Sequence, residues 1–372
     1  MRTGHQALGD ARRVVVKVGS SSLTMPGQRG ATGLDRTRID SLVDALVGVV
    51  KDGREVVLVS SGAIAAGLEP LRLRRRPRDL ATQQAAASVG QMLLVHAYAE
   101  SFGRHGLHVA QVLLTADDLQ RRTHYRNAQR NLDRLLQLGV VPIVNENDAV
   151  ATDEIRFGDN DRLAALTAHL VNANGMILLS DVDGVYDANP SRGDAKLISE
   201  IPDEVMLRSV DTSGPSSAGV GIGGMTTKLD SARIASGAGV PVIITSTELA
   251  ADALSGNTVG TFVHGHGKRP PQRRFWLRWA SEPRGHLTLD GGAVRAVVTH
   301  RKSLLPAGVT GVSGTFSAGE AIELRDSQGV AIARGLAAYD SHDIPALLGK
   351  QTSELDADHQ SELVHRDDIA LL

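Results

Sequence analysis

Apolar residues come in short unbroken blocks along the first two thirds of the chain, and each block releases into small or polar residues. Val14-Val15-Val16-Lys17-Val18, Val56-Val57-Leu58-Val59, Val109 to Leu114, Val140-Val141-Pro142-Ile143-Val144 and Met176-Ile177-Leu178-Leu179 are such blocks. Runs of this length, rich in β-branched residues and without polar alternation, predict strands buried on both faces. Between them the spacing becomes helical. Asp35 to Lys51 places Ile39, Leu42, Val43, Leu46, Val49 and Val50 on one face; Asp79 to Phe102 is a long alanine-rich segment; Arg126 to Leu138 and Arg162 to Leu170 follow the same period. Strands alternating with helices predict a mainly parallel sheet sandwiched by helices, an α/β architecture.

In such sheets ligands bind at the carboxyl ends of the strands, so the strand exits carry the candidate chemistry. The densest exit is Asn145-Glu146-Asn147-Asp148, followed by Gly158-Asp159-Asn160-Asp161 at the start of a helix. One reading is a ligand site that uses the free N–H groups of a helix N-terminus. The other is an acidic loop in which Asp159 or Asn160 caps the helix. Lys17 interrupts an apolar strand and precedes Gly19-Ser20-Ser21; its ammonium either reaches toward a phosphate over a small nest of amides or snorkels to solvent. Ser60-Ser61-Gly62-Ala63-Ile64-Ala65-Ala66-Gly67 ends another strand in small residues, which would let a ligand approach the backbone closely. Ser180-Asp181-Val182-Asp183-Gly184 is a polar turn whose glycine falls too early for a calcium loop.

Gly219-Val220-Gly221-Ile222-Gly223-Gly224-Met225-Thr226-Thr227-Lys228 matches GxGxxG by letter, but turn formers stand where a Rossmann strand is required. What remains is a glycine-rich loop opening a helix, with a lysine in its first turns. Backbone amides plus one ammonium suit a nucleotide phosphate, and an exposed surface loop is the alternative.

Past Thr261 the pattern changes. Val263 to Arg274 is rich in Gly, Pro and charge, as linkers are, and both tryptophans, Trp276 and Trp279, follow it. Leu287-Thr288-Leu289, Val294 to Val298, Ala321 to Leu324 and Val330 to Ala333 then read as short strands between glycines, which predicts a small barrel or sandwich. A length of 372 residues agrees with two domains.

Composition narrows the function more than the fold. With no cysteine, disulfide frameworks, thiolate metal sites and cysteine nucleophiles are excluded. A net charge of −2 argues against a general polyanion binder. Met1 to Arg13 lacks the apolar core of a signal peptide, and no apolar run has the length to span a bilayer, so no membrane partner and a cytoplasmic location are expected.

Five elements in this order, Val16-Lys17-Val18-Gly19, Ser60 to Gly67, Asn145-Glu146-Asn147-Asp148, Gly158-Asp159-Asn160-Asp161 and Gly223 to Lys228, resemble the bacterial glutamate 5-kinases of the amino-acid kinase family. The tail resembles a PUA domain in Asp290-Gly291-Gly292-Ala293, Ser303 to Val309 and Ala333-Arg334-Gly335-Leu336. The resemblance implies an amino-acid kinase fold over residues 1–270, a linker at 271–284 and a small β-rich PUA domain at 285–372. It implies transfer of the ATP γ-phosphoryl group, with Mg²⁺, to the side-chain carboxylate of L-glutamate, giving the 5-phosphate for proline synthesis. Ser61, Asp148 and Asn160 match the positions that hold glutamate. Lys17 and Lys228 match the lysines on the phosphates, and Asp161 the aspartate that orients them. Ser180 and Asp181 match a nucleotide contact usually written Thr-Asp, and Ile222, Gly223, Gly224, Met225, Thr226 and Thr227 fall in the nucleotide loop; some relatives have threonine where this chain has Ile222. A homo-oligomer is implied as well, with feedback inhibition by proline as a property of much of that family.

Acetylglutamate, aspartate and uridylate kinases share the lysines and the glycines. The Ser60 to Gly67 turn together with the Asn145 to Asp148 loop favours glutamate. PUA folds also occur in RNA-modifying proteins, but Glu282 to Leu372 holds 8 Lys and Arg against 13 Asp and Glu, which opposes binding to a phosphate backbone.

Overall fold

The computed structural model describes residues 3–25, 33–151, 160–188, 193–210, 224–350 and 362–372. The chain divides into two compact units, one of Met1–Leu119 and Thr123–Arg269, the other of Gln120–Arg122 and Pro270–Leu372.

The strands of the first unit are β1 (Arg13–Val18), β2 (Glu55–Ser60), β3 (His108–Leu114), β4 (Val140–Glu146), β5 (Gly175–Ser180), β6 (Val185–Tyr186), β7 (Leu197–Ile198), β8 (Glu200–Ile201), β9 (Val242–Ser246) and β10 (Thr261–Val263). Eight of them form one sheet in the order β3-β4-β2-β1-β5-β9-β10-β8, while β6 and β7 pair as a hairpin. From β3 to β9 the pairing is parallel, and β10 runs antiparallel to β9. The helices are α1 (Gly4–Gly9), α2 (Arg36–Lys51), α3 (Ala63–Leu68), α4 (Leu80–Gly103), α5 (Ala116–Gln120), α6 (Arg122–Gln137), α7 (Asn160–Leu170), α8 (Glu204–Ser209), α9 (Met225–Gly237) and α10 (Ala250–Ser255). Helix starts are chemically marked. Asp35 accepts from the Arg38 N–H at the head of α2 and Asp79 from the Thr82 N–H at the head of α4, while Thr115 and Asp118 cap α5 reciprocally.

Alternation along β1 sorts its residues between two layers. Val14, Val16 and Val18 join Ile39, Leu42 and Leu46 of α2 and Leu94, Tyr98 and Phe102 of α4 in one buried cluster. Lys17 shares the opposite parity with Val15, on the face that α7 covers. The central strands are buried from Val14 to Val18 and from Gly175 to Ser180, as their largely apolar sequences require.

Several expectations need correction. Thr261–Val263 is not the start of a linker but a buried strand on the sheet, because β9 offers it an open edge. The small residues of α3 serve helix packing: a Cβ on Gly67 would lie 2.0 Å from the Ala86 carbonyl oxygen, and one on Gly90 would lie 1.8 Å from that of Ala63. The two helices thus touch backbone to backbone, so at Gly67 the close approach is made by α4. Gly62, at φ +108°, makes the left-handed turn from β2 into α3. Helix α6 begins at Arg122, earlier than its apolar period suggests.

In the second unit, α11 (Gln272–Phe275) runs on into a π-helical turn, Trp276–Ala280, that buries Phe275, Trp276 and Leu277. The Arg278 guanidinium sits 4.8 Å from the Trp279 ring centroid. Strand β11 (Gly285–Leu289), helix α12 (Gly291–Val298) and strands β12 (Val309–Gly314), β13 (Ala321–Arg325), β14 (Ala331–Leu336) and β15 (Ile369–Leu371) follow, the sheet order being β12-β11-β13-β14-β15. Val294 to Val298 is therefore helical, not a strand. Asp290 accepts from the Ala293 N–H at 2.7 Å, a cap that starts a helix whose Ala293 and Val297, four apart, turn inward. Among the described residues no helix is long and apolar enough to cross a membrane.

Gly90→Ala should lower unfolding stability by about 1–3 kcal/mol, since the new methyl meets backbone that cannot swing away. A urea midpoint equal to that of the parent chain would show that the two helices separate at no cost.

Candidate functional site

Parallel pairing carries the strand exits to one edge. Lys17 lies in register with Val59 of β2 and Leu178 of β5, and Val18 with Ser60, so the polar residues that follow each strand emerge side by side. The helix α7 meets this edge with its first two residues, which face different partners.

Asp161, fully buried in the first turn of α7, takes the Lys17 ammonium on Oδ1 and has the Lys228 Nζ 3.3 Å from Oδ2. The Thr227 hydroxyl lies 3.2 Å from the same Oδ2 and 2.9 Å from the Gly224 carbonyl. Lys17 is 3% exposed and Lys228 7%, so neither snorkels to solvent. Stripping two ammonium groups and a carboxylate of water is costly unless they pair closely, as these do. The three groups still sum to one positive charge, which suits an incoming phosphate. Met225, Thr226 and Thr227 form the first turn of α9 with Gly224 at its N-cap, where no side chain caps the helix. Their N–H groups point away from the helix body, as an anion site needs. Ile222 and Gly223 lie outside the described residues.

Asn160 faces the other way. Its Nδ2 lies 2.9 Å from Ser61 Oγ, 3.2 Å from the Ser60 carbonyl and 2.8 Å from Asn145 Oδ1. Its amide thus donates into the strand exits, so Asn160 is not the acceptor cap that the sequence allowed; Asp159 lies outside the described residues. Asn145 Oδ1 also accepts from the Glu146 N–H at 2.8 Å, and Asn145 Nδ2 donates to Gln91 Oε1 at 2.7 Å. Ser60 Oγ meets the Tyr98 hydroxyl at 2.9 Å, and burial raises that phenol's pKa. Gln91 and Tyr98, two turns apart on α4, therefore brace the ends of β4 and β2.

Asp148 sits in the turn after β4, where the Val150 and Ala151 N–H groups both bond the Asn147 carbonyl. Ser180, buried at the end of β5, donates to the exposed Asp181 at 3.0 Å, and Thr247 Oγ1 holds the Ser180 carbonyl at 3.2 Å. Two clusters result, Lys17-Asp161-Thr227-Lys228 and Ser61-Asn160-Asn145-Gln91. Sequence reading places Asn145 in the polar strand exit without giving it a role, and passes over Gln91 and Tyr98. A polar Gln91 in an alanine-rich helix and an Asn145 closing an apolar strand were the available signals.

The model of the amino acid kinase family matches residues 12–246, a span that contains both clusters. The chain belongs to the amino acid kinase family. A PUA domain model matches residues 285–358 in the second unit. The kinase chain is 58% identical to the glutamate 5-kinase of Streptomyces coelicolor over 376 residues, covering 100% of both. It is 58% identical to that of Frankia casuarinae, over 98% of this chain and 97% of that one. In fold it is similar to carbamate kinase from Giardia lamblia bound to AMP-PNP, with a TM-score of 0.51 and 15% identity over 69% of this chain and 99% of that one.

Asp161→Ala should cost this kinase about 3–5 kcal/mol of stability, because it leaves two buried ammonium groups without their shared carboxylate. Denaturant unfolding checks this, and a loss below about 1 kcal/mol, the scale of an exposed pair, would mean that the lysines reach water.

Proposed function

We propose that this kinase transfers the γ-phosphoryl group of ATP to the side-chain carboxylate of L-glutamate, giving L-glutamyl 5-phosphate, the first step of proline biosynthesis. The observation that carries the proposal is the first turn of α7: Asp161 braces Lys17 and Lys228 while the adjacent Asn160 hydrogen-bonds Ser61 and Asn145 at the neighbouring strand exits. Full-length identity of 58% to glutamate 5-kinases supports the choice of acceptor.

In this reading Lys17 and Lys228 neutralise the phosphoryl oxygens as charge spreads in the transition state, and Asp161 keeps the two ammonium groups apart and aimed. Glutamate is held by Ser61, Asp148 and Asn160, and the nucleotide lies over Ser180, Asp181 and the loop and first turn from Ile222 to Lys228. The nucleophile is already a carboxylate, so the reaction needs positioning and charge neutralisation, with no general base. Asp161 has both oxygens facing ammonium groups, which suits it to placing lysines more than to ligating metal. Mg²⁺ would accompany ATP, held chiefly by phosphate oxygens and water and adding positive charge there.

The kinase domain is assigned to residues 1–270 and the PUA domain to 285–372, with 271–284 between them. A cytoplasmic homo-oligomer subject to proline inhibition belongs to the same reading and rests on the resemblance. The acidic balance of the tail argues against nucleic acid as a partner.

The deciding experiment measures ADP or UDP release with glutamate, acetylglutamate, aspartate and UMP offered side by side; a preference for any acceptor but glutamate overturns the proposal. Lys17→Met and Lys228→Met should each lower turnover by roughly 10²-fold or more with glutamate binding retained, as loss of transition-state charge stabilisation requires. An unchanged kcat in either variant removes that lysine from the mechanism. Asn160→Ala and Asp148→Ala should weaken glutamate use by about 1–3 kcal/mol each and ATP use far less, since they leave pocket groups unpaired. Equal losses for both substrates would point to a folding defect.

A further inference from the structure

The amides behind the acceptor pocket form a chain whose sense is set by chemistry. The Glu146 main-chain N–H can only donate, so the Asn145 atom 2.8 Å from it is oxygen. Asn145 therefore turns its NH₂ to Gln91, and the Gln91 atom it meets at 2.7 Å must be the acceptor Oε1. On the other side, the Asn160 atom 2.8 Å from Asn145 Oδ1 must be Nδ2, which also fits the Ser60 carbonyl at 3.2 Å. One backbone donor thus fixes three side-chain amides.

The chain leaves two atoms over. Gln91 Nε2 and Asn160 Oδ1 are both buried without a hydrogen-bond partner among the described residues. Gln91 is 8% exposed, on the α4 turn that Gly90 presses against the Ala63 carbonyl. A buried amide with unspent N–H groups is less stable there than an apolar side chain of equal size, so packing does not account for it. What Gln91 supplies is the acceptor for Asn145.

We infer that Gln91 is a positioning residue for the acceptor: by accepting from Asn145 Nδ2 it holds in place the side chain that in turn accepts from Asn160, and so steadies how the site holds an amino acid. The inference rests on the reading of Asn160 as a glutamate contact. With Nδ2 committed to protein oxygens, Asn160 has an acceptor left to offer, Oδ1, which suits the α-ammonium group of the substrate. Without the Gln91 acceptor, Asn145 is left with a buried NH₂ group unpaired, which favours its leaving this position, and Asn160 then loses one of the acceptors that bond its Nδ2 and so hold its Oδ1 in place.

Two substitutions separate this role from packing. Gln91→Met keeps length and volume but removes the acceptor; Gln91→Glu keeps an oxygen for Asn145 and removes the unspent N–H groups. The full-length Met variant should raise the glutamate KM by about tenfold with the ATP KM within about twofold, and the Glu variant should recover most of that loss. Added to Asn145→Ala, Gln91→Met should change the glutamate KM little further, because Gln91 acts through Asn145. Equal shifts in both KM values, an unchanged glutamate KM in the Met variant, or full additivity with Asn145→Ala would overturn the inference. If Gln91→Met does not melt cooperatively, Gln91→Glu carries the test alone: a near-native glutamate KM supports the acceptor role and a tenfold rise defeats it. A parent chain that releases no ADP with glutamate would sink the functional reading together with this one, whereas normal parent activity beside a normal Gln91→Met variant would sink this inference only.

Discussion

A carboxylate without solvent, shared by two ammonium groups, constrains everything around it. Asp161 is accommodated at zero exposure because Lys17 and Lys228 reach it from two other elements and because the first turn of a helix favours negative charge. That demand fixes three placements at once. Strand β1 must present odd-numbered residues to α7, α7 must begin at the sheet edge, and α9 must bring its first turn within reach of both. Each placement is supported by packing that has nothing to do with chemistry: the valines of β1 on the opposite face lock into α2 and α4, and the buried Leu163, Ala164, Leu166 and Ala168 of α7 seat that helix.

The neighbouring residue, Asn160, ties the second cluster to the first. Two consecutive positions on one helix turn thus join a charged cluster to an uncharged one, so a shift of α7 would disturb both together. On the uncharged side the accuracy comes from α4, which is brought in by glycine contacts and offers Gln91 and Tyr98 to adjacent strand ends. The charged side depends on Coulomb attraction over short distances; the uncharged side depends on donors and acceptors that fit in one sense only.

Much of this was legible in the sequence where the physics is local. Unbroken apolar blocks announce strands that are buried on both faces, and a lysine within one of them is anomalous enough to mark a site. The helical periods that begin at Asp35 and Asp79 are helices, with both aspartates serving as caps at their heads. Readings failed where a distant partner decides. Thr261–Val263 is too short to declare itself a strand until β9 provides an edge, and Val294 to Val298 looks extended until Asp290 caps it. That Gly67 packs against a helix is not readable because the sequence does not say which element crosses there. Gln91 and Asn145 are ordinary amides until folding sets them 2.7 Å apart.

The strand order has a consequence for how the protein is made. β1 is among the first strands to leave the ribosome, yet it lies between β2 and β5, and Lys17 waits for Asp161 and Lys228 from far later in the chain. Such non-local pairing delays folding, because loop closure precedes the contacts that reward it. An emerging chain therefore carries an unpaired β1 edge and a lone strand lysine until β5 and α9 have been synthesised. No N-terminal fragment ending before Lys228 can hold the charged cluster, so a prematurely terminated product would leave the buried charges of that cluster incompletely compensated and be exposed to aggregation.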